Sequence, residues 1–182
     1  LHSLKFRLFL ILVVVGILPN VILRIGLLKT YESRAVSNRS IDILSQAKML
    51  GNQIVTYNYL QDTSSEVINT QLELLSNIYD GRVLIINSSF QVVKDTYGLD
   101  TGKTIISEEV VKSFRGEEIS KYDAEYRYIE MTIPLKNSDT KEVQGIMLVS
   151  VSTDSILTNY DYLKNNAMAV SYTHLTLPTI RL

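Results

Sequence analysis

The chain has 182 residues and a formal net charge of −1, with 46% hydrophobic and 20% charged residues, two His and no Cys or Trp. Without Cys there is no disulfide framework, Cys-ligated zinc, iron–sulfur cluster or thiol catalysis, and His2 and His174, at opposite ends, leave no His-rich metal site. The near-zero charge gives no electrostatic ground for binding nucleic acid, and the apolar content suffices for a core and excludes disorder.

From Leu8 to Leu28 the chain reads LFLILVVVGILPNVILRIGLL, interrupted only by Gly16, Pro19, Asn20, Arg24 and Gly26. These 21 residues, at about 1.5 Å each along a helix, match the hydrocarbon thickness of a bilayer. A cleaved signal peptide would need small residues at a cleavage site, and PNVILRIGLLK has none. A buried core helix is rarely so uniformly aliphatic. The segment is therefore expected to be an uncleaved membrane anchor. Arg24 lies five residues before Lys29, so its stem can snorkel to the interface, and Pro19 is expected to kink the span. Lys5 and Arg7 before the span favour a cytoplasmic N-terminus.

Beyond Lys29 the apolar residues Ile41, Leu44, Ala47, Leu50, Ile54 and Tyr57 recur at steps of three or four, the stripe of an amphipathic helix continuous with the anchor. A second helix is expected from Thr63–Ser65, capped by Thr63 or Ser64, with Val67, Ile68, Leu72, Leu75 and Ile78 on its stripe and Asp80-Gly81 as its stop. The period then becomes two. Arg82–Asn87 and Phe90–Asp95 flank a tight connection, the Gly98…Gly102 stretch is a loop, and Ser107 caps a short helix ending at Gly116. Two longer strands, Tyr126–Leu135 and Val143–Ser152, close the pattern, joined by the polar turn KNSDTKE. Helices segregated from a mostly antiparallel sheet define an α+β domain.

In this order the segments resemble the sensor half of bacterial two-component histidine kinases. More narrowly, the domain is similar to the extracytoplasmic PAS-like fold called single Cache. RVLIINSSFQVVKDTYGLDTGKTI resembles that family's first hairpin, with Val93, Asp95, Thr96, Gly98, Gly102 and Lys103 at the motif positions. SEEVVKSFRGE resembles the helix that follows, and YIEMTIPLKNSDTKEVQGIMLVSVSTDSI the last hairpin before an exit helix. The resemblance covers about Ser3 to Asn165. It implies a domain outside the membrane, a homodimer formed along the long N-terminal helix, and a pocket on one face of the sheet. A small-molecule or protein ligand there would shift the helices that cross the membrane. A response regulator would be reached only through a kinase half lying beyond this chain.

The last residues, SYTHLTLPTIRL, resemble a phospho-acceptor box around His174 and Pro178, but Ser155–Ala169 is too polar and short to be the second span that must precede one. VSYTHLTLPT, Val170 to Thr179, also reads letter for letter as a translated transposon-end sequencing adaptor. The tail is therefore expected to be foreign and the native sequence to continue past Ala169. The expected organisation is 1–7 cytoplasmic, 8–28 membrane helix, 29–62 long dimerisation helix, 63–155 sensor domain, 156–169 truncated exit helix and 170–182 adaptor-derived.

No catalytic constellation stands before Val170, and neither a cofactor nor a metal is expected. Seven carboxylates against four bases between Glu108 and Glu130 read either as a cation-binding face or as an ordinary solvated surface; they lack calcium-loop spacing. Tyr126 and Tyr128 are placed on one strand face with Arg127 on the other, suited either to a small polar ligand or to packing against helices. Asp95 could accept a ligand amine or cap the loop after its strand. The candidate ligand residues are thus Asp95, Tyr126, Arg127 and Tyr128. The expected function is a membrane-anchored extracytoplasmic sensor of a histidine kinase, without enzymatic activity in this segment. The alternatives are the sensor of a chemoreceptor or cyclic-dinucleotide cyclase, or an anchored non-sensory cell-envelope protein.

Overall fold

The computed structural model describes residues 4–158, less the side chains at 5, 8–10, 12, 13, 16, 17, 19, 20, 23, 24, 27 and 28; most of the expected exit helix and all of the tail lie outside the described residues. Helix α1 runs from Leu4 to Thr56. The chain forms two compact units, Ser37–Ser155 and the residues on either side of it. In the outer unit, Ile11, Val14, Val15, Leu18, Ile22 and Ile25 of α1 are all exposed. Among the described residues, no helix is long and apolar enough to cross a membrane.

Within Ser37–Ser155, the rest of α1 is followed by α2 (Glu66–Tyr79), β1 (Gly81–Asn87), β2 (Val92–Asp95), α3 (Glu108–Phe114), β3 (Ile119–Asp123), β4 (Tyr128–Lys136) and β5 (Val143–Ser152). The strands form one antiparallel sheet in the order β2-β1-β5-β4-β3, giving the α+β class that the pattern implies.

The sheet's two faces differ in chemistry. One carries Val83, Ile85, Ile129, Met131, Met147 and Val149, all buried, and α1 lies against it, with Gly51 close to Leu135. The buried stripe of α1 is Ile43, Ala47, Leu50 and Ile54. The expected Ile41 and Tyr57 are exposed. Ile41 is six residues from Ala47 and so out of phase with a 3.6-residue repeat, while Tyr57 falls just past the end of the helix.

Helix α2 buries Ile68, Leu72, Leu75 and Tyr79, leaving the expected Val67 and Ile78 exposed. Its cap is Ser65, not Thr63 or Ser64, because those two are engaged in the turn before it. The Ser64 N–H donates to Asp62, and the Thr63 carbonyl accepts from Asn69. Asp80 closes the helix in the left-handed conformation at φ 50°, and its N–H donates to the Ser76 carbonyl.

Tyr59, fully buried beyond α1, donates its hydroxyl to Asn69 Oδ1 at 2.5 Å. Burial pushes that hydroxyl's pKa up to about 12. Tyr59→Phe leaves Asn69 Oδ1 without its donor and is expected to cost about 1–2 kcal/mol, read as a lower urea midpoint. Because the folded value is raised, the tyrosine's contribution is full below the ordinary value of 10 and is lost as pH climbs towards about 12.

The other face packs against α3. Leu84, Ile86, Val92, Val110 and Ile146 form its core, with Phe90 and Phe114 stacked edge to face at 4.8 Å. Strand β3 goes beyond the expected pattern, and β4 begins at Tyr128, two residues later than expected. Residues 124–127 are a turn instead. Asp123 Oδ1 accepts the N–H groups of Glu125 and Tyr126, each at 2.9 Å, and Arg127 sits at φ 53°.

Candidate functional site

The first hairpin ends in a network centred on Asp95, whose side chain is fully buried. Its carboxylate accepts two bonds from Arg82, from Nε at 3.0 Å and from a terminal nitrogen at 2.6 Å. It also accepts the backbone N–H groups of Tyr97, Leu99 and Asp100 at 2.8–2.9 Å. Asp100 in turn bridges Arg82 and Lys103 at 2.6 Å each. Burial works to raise the Asp95 pKa, but Arg82 and the three N–H groups overcome it and hold the carboxyl well below the usual range. Of the two roles open to Asp95, the geometry has the loop cap: all five bonds come from the protein's own hairpin and loop.

The tyrosine pair is not on one strand face. Tyr126 is 72% exposed in the turn. Arg127, beside it, lies 3.8 Å from Asp154, and its carbonyl accepts the Thr153 N–H and hydroxyl, each at 2.8 Å. Only Tyr128 is in the sheet, half-buried between Asp123 and Ser152. β1 and β5 separate it from Asp95, so the four candidate residues do not converge.

The sheet register brings a different set together. Lys121 pairs with Glu130, Glu130 with Ser150, and Ser150 with Arg82, making one polar row across four strands on the face that α3 covers. From α3, Glu109 forms an ion pair with Lys121. That bond holds the Glu109 carboxyl down to about 2. Glu130 goes the other way: burial, then the neighbouring Glu109 charge, raise its pKa, and Lys121 only partly offsets them.

One row deeper, the Ser113 and Thr132 hydroxyls are buried and have no hydrogen-bond partner among the described residues. Buried hydroxyls are ordinarily paired. Sequence reading put Glu109 and Glu130 in an undivided acidic run. What divides that run is β3, whose ISKYD lacks a strong apolar alternation. Among the described residues, no group of three or more His, Cys, Asp or Glu is placed to hold a metal ion.

Among the solved structures similar to this chain are two extracellular or sensor domains. An extracellular ligand binding receptor from Desulfohalobium retbaense matches with a TM-score of 0.56 and 16% identity, over 74% of this chain and 26% of that one. The sensor domain of the V. cholerae histidine kinase DctB matches with a TM-score of 0.49 and 14% identity, over 74% of this chain and 59% of its own. The chain thus spans about a quarter of the first structure and less than two thirds of the second. At this identity the likeness to the receptor is one of fold, an antiparallel sheet flanked by helices. No protein-family model matches the sequence, and no curated protein does.

Proposed function

We propose that residues 63–155, which fold with the end of α1 into the Ser37–Ser155 unit, are the extracytoplasmic ligand-sensing domain of a membrane-anchored signalling protein, with a histidine kinase as its output. The observation that carries this reading is the polar row Lys121–Glu130–Ser150–Arg82 laid across an otherwise apolar sheet and partly roofed by α3, in a fold shared with an extracellular ligand binding receptor. Ligand sites combine a mainly apolar lining with a few placed polar groups of this kind.

The anchor is supported by the composition of residues 8–28 and by the exposed apolar side chains along the start of α1, a patch that water disfavours and lipid accepts. Dimerisation along α1 is supported by Ile41 and Met49, both exposed and apolar. This segment is non-enzymatic in our reading; it senses, and a kinase elsewhere in the full protein acts. The domain limits 1–7, 8–28, 29–62, 63–155 and 156–169 belong to the same proposal.

The test is a thermal-shift screen of the whole chain in detergent micelles against amino acids, organic acids and amines. A ligand at a hundred times its Kd should add about 2.7 kcal/mol of stability, so the melting temperature should climb steadily with concentration. If no compound of any class moves it, the sensing reading fails.

A further inference from the structure

We propose that the facing carboxylates of Glu109 on α3 and Glu130 on β4 form a recognition point for the ammonium group of a small organic amine, and that the Lys121 side chain is the protein's own stand-in for it. The inference rests on the reading of this domain as a ligand sensor and names the class of ligand.

The geometry is a two-by-two arrangement. Glu109 and Ser113 are one turn apart on α3 and therefore share a helix face. Glu130 and Thr132 are two residues apart on β4 and therefore share a sheet face. Lys121 stands directly opposite Glu130 in the sheet register and forms an ion pair with Glu109, so the two carboxylates flank the same lysine. Behind this outer pair lie the two hydroxyls, at 0% exposure for Ser113 and 1% for Thr132, both without a partner among the described residues. Charged acceptors stand outside and hydroxyls inside, which is the donor and acceptor pattern of a ligand with an ammonium head and a short polar tail.

Charge decides the sign of that head. In the polar row and the network beside it, Arg82 and Lys103 are balanced by Asp95 and Asp100, and Lys121 by Glu109. Among the described residues Glu130 has no hydrogen bond or ion pair of its own, and Lys121, already paired with Glu109, offsets its charge only in part. An anionic ligand would meet this carboxylate and three cations already engaged. A metal ion would need more ligands than two carboxylates provide, and the hydroxyls are neutral. An ammonium bridging Glu109 and Glu130 answers both carboxylates. Lys121, whose side chain is 60% exposed, can swing into solvent to make way without disturbing the core.

The test is calorimetric titration of the whole chain in detergent micelles with ethanolamine and 1,4-diaminobutane, against 1,3-propanediol and succinate. The amines should bind and the diol and diacid should not. Lys121→Met removes the internal competitor and should tighten amine binding about fivefold or more, while Glu130→Gln should weaken it about tenfold or more, the scale of one lost charge-assisted contact. Thr132→Val should weaken binding while leaving the melting temperature unchanged or higher, an outcome that separates loss of a ligand contact from loss of the fold. Failure of both amines to bind even the Lys121→Met protein would overturn the proposal, as would unchanged affinity in that variant. Succinate binding that Thr132→Val weakens would overturn the amine class while leaving the sensing reading in place.

Discussion

Asp95→Ala is expected to destabilise the domain by about 3 kcal/mol, among the largest effects of any side-chain truncation outside the apolar core. Removing one partner of a buried ion pair costs about 3–5 kcal/mol, because the surviving charge is left uncompensated. The Arg82 side chain is 23% exposed, so solvent recovers part of that loss and the lower end applies. Three backbone N–H groups also lose their acceptor, at Tyr97, Leu99 and Asp100. Arg82→Met should cost less, since Asp95 keeps those three donors. The urea midpoint should fall in the order wild type, Arg82→Met, Asp95→Ala at constant slope. Equal shifts for the two variants would refute the loop-cap role.

The pH dependence of that difference has a defined sign. The folded-state pKa of Asp95 lies below its unfolded value, so its contribution is fully present above the ordinary carboxylate range and is lost as pH falls through the depressed value. Glu130 has the opposite sign. Its raised value means that ionisation disfavours the folded state, so Glu130 is less costly in mild acid. The gap between wild type and Asp95→Ala should therefore persist from neutral pH down to about pH 4 and close only below it.

What the sequence made legible follows how strongly each element's signal repeats. The turn at Asp80-Gly81, the Ser107 cap and the first and last strands are local signals, and they stand where the pattern puts them. Strand β3 was hidden because it is an edge strand with exposed Ser120 and Lys121, so no apolar period marks it. That one omission had consequences for the site. Without β3, Tyr126 and Arg127 read as strand residues, and Lys121 and Glu130 do not read as neighbours. Asp95 reads from the sequence as a carboxylate at a strand end, but what it binds is a long-range matter. Its partner Arg82 is thirteen residues away across a hairpin, and no local pattern reveals the pairing.

Chemistry on the two sheet faces explains why a polar row can be tolerated at all. The side facing α1 holds the densest apolar set, with Ile85, Ile129, Met131 and Met147 all fully buried. Burial of apolar surface stabilises by about 25 cal/mol per Å², so these side chains are a strong source of stability on that face. α3 spans only seven residues and covers the deeper rows. The outer row is left to Lys121, Glu130, Ser150 and Arg82. The α1-facing apolar set and the polar row thus fall on opposite sides of one sheet.

Gly145→Ala tests that division from the stabilising side, and it should cost about 3 kcal/mol. A Cβ at this position would stand 2.6 Å from the Ile86 carbonyl oxygen and 3.0 Å from a Leu60 methyl. The oxygen belongs to β1, which β5 pairs with along its whole length. It cannot retreat without breaking the β1–β5 ladder, so the strain cannot be relieved by a rotamer change. Overpacking costs about 1–3 kcal/mol in deformable cores, and the upper end applies where backbone is the obstacle. Gly51→Ala is the matched comparison. Its Cβ would meet Leu135 Cδ2 at 2.9 Å, the far end of a side chain that can shift, and alanine gains about 1 kcal/mol of helix propensity over glycine. The two nearly cancel, so this variant should stay within about 1 kcal/mol of wild type. By thermal melting, Gly145→Ala should lower the midpoint by about 6–12 °C while Gly51→Ala barely moves it. A Gly145→Ala protein as stable as wild type would mean that β5 and β1 can separate at this point, and the sheet could not then be the rigid floor on which the polar row depends.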